Sequence, residues 1–142
     1  MPRAKKPLGH IQVELLVAGQ PTQNGRVYPD GVLEHVCASI KANPVTIEEV
    51  SPVERRANKV PVCYSWKERA MAHSTDAVMD NGVLKVDFDV NNNKYGSMLM
   101  KCIEAGEVEY MPVGEGDVDK DNVITDYKIN YVTFVMKQHG ND

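Results

Sequence analysis

Asn81-Gly82 is the strongest turn signal in the chain and the feature that most limits its fold. An Asn-Gly pair supplies the two positive-φ residues that a two-residue hairpin requires. The residues that follow, VLKVDFDV (83–90), alternate in polarity: Leu84, Val86, Phe88 and Val90 face one way, Lys85, Asp87 and Asp89 the other. A period of two predicts an antiparallel strand with one face buried and one in water. The chain must therefore build a hairpin-joined sheet.

Other segments fit around it. HIQVELLVA (10–18) reads as a first strand, and the turn-rich run 19–29 carries a second Asn-Gly pair. A helix is expected from Asp30, its cap, with Val32, Leu33, Val36, Cys37 and Ile40 at helical spacing and Asn43-Pro44 as its stop. It leaves Glu34, His35, Ser39 and Lys41 on the solvated side. Residues 45–58 have no clear period and read as a short helix with a loop, or as a surface excursion. VPVCYSW (60–66) is strand-like, and 69–78 is a further strand candidate. KYGSMLMKCIEA (94–105) is an amphipathic helix with Tyr95, Met98, Leu99, Cys102 and Ile103 as its apolar stripe and Gly106 as its C-terminal cap. A strand at 108–113, a glycine-rich acidic turn at 114–122 and two strand-like runs within 123–136 complete the pattern.

About six strands and two or three helices, without regular alternation, give an α+β fold: a mostly antiparallel sheet or small barrel. Residues 1–9 read as a flexible arm, 10–136 as a single domain and 137–142 as a polar tail. At 142 residues the chain is long enough to form a core without disulfides or metal.

Composition removes several functions. A net charge of −4 gives no general attraction to nucleic acid or anionic membranes. No apolar run approaches the roughly 18 residues that cross a bilayer. Cys37, Cys63 and Cys102 are scattered and odd in number, which argues against a disulfide framework or a zinc site.

The motifs that carry chemistry are sparse. Asp117, Asp119 and Asp121 alternate like the start of a calcium loop, but Asn122 and Lys128 stand where the glycine and the bidentate glutamate belong. An acidic hairpin tip is the better reading, with no cofactor. His73 and Ser74 are neighbours, yet in a strand they point to opposite faces and cannot form a base–nucleophile pair.

Two stretches carry a wider resemblance: NGRVYP (24–29) followed by a helix, and KYGSMLMKCIEAGEVEYMPVGEGDVDKDNVITDYKINYVTFV (94–135). They resemble the prohead maturation serine proteases of tailed phages, an assemblin-like family. There a helix ending in EAG precedes a strand with a serine pair, a glycine-rich turn, an acidic hairpin tip and a "DYEL…FDVV" run. The resemblance implies a prohead-protease-like fold and places the serine pair at Met111 and Pro112. Neither side chain can act as a nucleophile. One family histidine falls near Ser65-Trp66, where none stands. A second matches Ala72-His73-Ser74, which leaves His73 as a remnant.

The expectation is a catalytically degenerate relative: a capsid decoration or cement protein of the virion, assembled in the host cytoplasm. It would bind the major capsid protein or other virion proteins, or further copies of itself. The alternatives are an active protease with its nucleophile moved to Ser65 or Ser97, and an assembly factor absent from the mature particle.

Overall fold

The computed structural model describes residues 6–22, 25–48, 70–106 and 108–136. Its eight elements are β1 (Gly9–Val17), α1 (Asp30–Ala42), β2 (Thr46–Ile47), β3 (Ala72–Asp80), β4 (Val83–Val90), α2 (Lys94–Ala105), β5 (Val108–Val118) and β6 (Ile124–Met136). The strands form one curled mixed sheet in the order β1-β4-β3-β2-β6-β5, and with the two helices this is the expected α+β architecture.

The β3–β4 hairpin is the one the Asn-Gly pair predicts. Asn81 and Gly82 have φ of 51° and 82°, the double positive φ of a type I′ turn. Leu84, Val86, Phe88 and Val90 all reach 0% exposure, so the alternating face is the core face. Helix α1 lies over that core with Leu33, Val36, Cys37 and Ile40 buried, and His35 stays exposed as expected. Each such side chain contributes about 1.5–3 kcal/mol when fully buried. Asp30 does not cap this helix. Pro29 occupies the cap position without a side-chain bond, and Asp30 is the first helical residue, where its charge favours the positive end of the helix dipole.

Five features depart from the sequence pattern. The weak segment after Pro44 contributes β2, only two residues long, which pairs antiparallel with β3 and parallel with β6. It joins the two halves of the sheet, helped by Ser74 Oγ accepting from the Val45 amide at 2.8 Å. The third strand starts at Ala72 and carries a bulge at Thr75. The glycine-rich run expected as a turn is mostly strand: β5 continues through Gly114 and Gly116 to Val118. The two runs beyond it are one strand, β6, with Asn130 bulged between the partners of Val113 and Gly114. Met98, assigned to the apolar stripe of α2, is 45% exposed, because Gly96 and Leu99 take the buried positions.

The strand expected at 60–66 and the bulk of the 45–58 segment lie outside the described residues. Residues from the expected arm run on into the sheet: the Leu8 amide donates to Val90 O, and Asn92 Nδ2 to Lys6 O.

Candidate functional site

Met111 and Pro112 lie mid-way along β5, an edge strand. Proline has no amide hydrogen, so it fits a strand where its nitrogen faces away from the neighbour. The free edge of β5 provides such a position. The register sets Pro112 against Val132 and Met111 against Thr133. Residues directly opposite share a face, so Met111 and Thr133 lie together, away from the face of the buried Val132.

His73 lies on β3, opposite Thr46 on β2 and Asp89 on β4. Its Nδ1 is 2.6 Å from Asn91 Oδ1, and its ring is exposed. Between β3 and β5 stand β2 and β6, so three strand spacings separate His73 from Met111. That is about 14 Å along the sheet. They share a face, because Ala72, Ile47, Val132 and Pro112 pair in sequence across the opposite one. The fold sets the two sequence-predicted positions on one surface without bringing them into hydrogen-bond reach.

Two residues between them escape sequence reasoning. Glu48 is 4% exposed, and its carboxylate accepts from Thr46 Oγ1 at 2.7 Å. Thr133 is 5% exposed, and among the described residues its Oγ1 has no hydrogen-bond partner. A buried acid, a buried hydroxyl and an imidazole therefore sit along one face. Among the described residues the set has no activated nucleophile. A hydroxyl attacks only when a base holds its proton, and among the described residues no such base is hydrogen-bonded to Thr133. An orphaned buried hydroxyl costs about 1–3 kcal/mol. Thr133→Val should accordingly raise stability by about 1 kcal/mol, read as a Tm increase of a few degrees in thermal denaturation. A drop would show that the hydroxyl has a structural partner.

The acidic tip is organised by its own backbone. Asp119 Oδ1 accepts from the Asp121 amide at 2.8 Å and the Val123 amide at 3.0 Å, closing the turn. Among the described residues no group of three His, Cys, Asp or Glu side chains is arranged to hold an ion, and Asp117, Asp119 and Asp121 form no such group.

A cleft of about 580 Å³ opens beside Met111 and Pro112. Its other walls include Leu16 of β1, Arg26 and Tyr28 of the loop before α1, and Tyr127 of β6. Tyr28 and Tyr127 meet edge to face with centroids 5.2 Å apart. Burial, then the neighbouring Tyr28, pushes the Tyr127 phenol well above its ordinary range. Burial also raises Tyr110 on β5, with a smaller contribution from Cys102.

Both phenols hold their protons more tightly when folded than when unfolded. The stability they contribute is complete below about pH 10, the unfolded value, and falls as pH rises through the folded values. Alkaline unfolding should therefore begin above about pH 10, and the 295 nm phenolate absorbance should rise with the loss of structure. Ionisation of all tyrosines before unfolding would contradict this.

No family model matches the sequence, and no curated protein matches it. Among solved structures the chain is similar to the bacteriophage T4 capsid assembly protease, gp21. The TM-score is 0.71, with 19% identity over 90% of this chain and 81% of that one. The fold is prohead-protease-like. The likeness to gp21 extends over nearly the whole chain, well beyond the two stretches that suggested it. No helix among the described residues is long and apolar enough to cross a membrane.

Proposed function

We propose that this chain is a non-enzymatic structural protein of a phage particle, a capsid decoration or cement protein on a prohead-protease-like fold. The observation that carries the reading is the pair Met111-Pro112 on β5, where the family resemblance puts the nucleophile. A thioether and a pyrrolidine ring cannot attack a peptide carbonyl. Loss of a serine nucleophile costs roughly 10⁶-fold in rate.

The hydroxyls elsewhere support the same reading. Ser74 is buried and bonded to the Val45 amide. Ser97 is exposed on α2, and its amide donates to Asn93 O in the first turn of that helix. Ser65 lies outside the described residues. His73 is held by Asn91 instead of a nucleophile. What the fold offers a partner is surface: two edge strands, β1 and β5, and the cleft beside Met111. The partner class is the major capsid protein or another virion protein.

Two measurements test this. Mass spectrometry of purified virions should find the chain at a fixed ratio to the major capsid protein. Incubation with an activated fluorophosphonate should leave every serine and threonine unlabelled. Absence from the virion points to an assembly factor, and stoichiometric labelling to an active protease. Either result overturns the proposal.

A further inference from the structure

The cleft beside Met111 has both polar and apolar walls. Leu15, Leu16 and Pro112 line the apolar part. Its polar walls include Arg26 and the 6%-exposed Tyr28, whose ring meets that of Tyr127 edge to face. Arg26 lies close enough to Tyr127 to act on it electrostatically. Glu109 borders the cleft too, but among the described residues Arg26 forms no ion pair with any carboxylate. A guanidinium bordering an apolar cavity favours an anion carrying an apolar body. A phenol beside it carries one O–H able to donate.

The fold also limits how a chain could enter. β1 and β5 are the two ends of the sheet, and Cα atoms of the two come within 8 Å of each other. A strand inserted between two others needs about 9.6 Å, twice the strand spacing. Where they approach so closely, a polypeptide cannot thread between these edges as a continuous strand. A chain end can enter and stop. A volume of about 580 Å³ lies within the usual range for ligand pockets and has room for a terminal residue and its neighbour.

We propose that this cleft captures the C-terminal residue of a partner chain, with its apolar side chain among Leu15, Leu16 and Pro112 and its α-carboxylate on Arg26 and Tyr28. The proposal rests on the reading of the chain as a binding protein and specifies the kind of segment it holds. Capture of a terminal carboxylate is an established mode of peptide recognition.

The test uses the full chain, labelled with ¹⁵N, titrated with acetyl-Leu-Phe bearing a free carboxylate and with the same dipeptide as its C-terminal amide. The acid should shift the amides of Leu16, Arg26 and Met111 saturably, and the amide should bind at least tenfold more weakly. Arg26→Gln should bring the acid down to the level of the amide without disturbing other resonances, and Arg26→Lys should restore part of the difference. Equal binding of acid and amide, no shift at the cleft, or an unchanged affinity in Arg26→Gln would each overturn the proposal. Virion composition and fluorophosphonate labelling are read independently. The cleft can thus fail while the structural role stands, and the reverse.

Discussion

Gly96→Ala is expected to cost about 3–5 kcal/mol of folding free energy, an overpacking penalty at its upper end combined with the loss of a helix cap. A Cβ at Gly96 would stand 1.7 Å from Asn91 O and 2.7 Å from its carbonyl carbon, backbone atoms that cannot swing aside. Either the first turn of α2 or the end of β4 must move. The Gly96 amide donates to Asn93 Oδ1 at 2.8 Å, so moving the turn breaks the cap. Moving Asn91 is no easier. Its amide donates to Met71 O, its Nδ2 to Ala70 O, and its Oδ1 holds His73. Set against a typical domain stability of 5–15 kcal/mol, the loss should lower Tm by about 10–15 °C. The His73 ring resonances should shift as well. A melting temperature within 2–3 °C of the parent, a shift worth about 1 kcal/mol, would show that the α2–β4 junction is not so tightly built.

How much of this was legible beforehand differs by element. β4 and α1 could be read because each buries a face at its own period: Leu84 to Phe88 at two, Leu33 to Ile40 at three and four. β2 could not, since Thr46 and Ile47 are too few to show a period and are strand only because β3 and β6 lie on either side. The same non-local pairing hid the buried face between His73 and Met111. Glu48 and Thr133 come onto one face through a parallel pairing of segments 85 positions apart, and nothing near either residue announces it. Met111 and Pro112 drew attention through resemblance alone. Their own pattern says only that proline tolerates a sheet edge. The glycines of β5 misled for a different reason. Glycine usually punctuates a chain, and here it instead permits contact between backbones.

That distinction makes the effect of Gly114→Ala predictable in sign. If Gly114 only marked a break, alanine in its strand position would stabilise the protein by roughly 0.5–1 kcal/mol, because glycine loses more conformational freedom on folding. The close approach predicts the opposite. A Cβ there would stand 2.1 Å from Lys128 O and 3.0 Å from Tyr127 Cζ. The carbonyl belongs to β6 and the ring to the Tyr28 contact, so relief requires β5 to leave its register beyond Val113. The expected cost is about 2–3 kcal/mol, the upper part of the overpacking range. It should be confined to the distal hairpin, where amides of 114–118 and 124–129 lose protection from hydrogen exchange while those of 108–113 keep it. Gly31→Ala is the matched control: beyond its chain neighbours and its own helix backbone no atom lies within 4 Å of its Cβ, and it sits in the first turn of α1. It should leave stability unchanged or raise it by up to about 1 kcal/mol, since alanine is the better helix former. The two alanine variants therefore separate in sign. A stabilised Gly114→Ala would mean that the glycine-rich run is a turn after all, and that the β5 edge of the cleft is not held against β6 as the register describes.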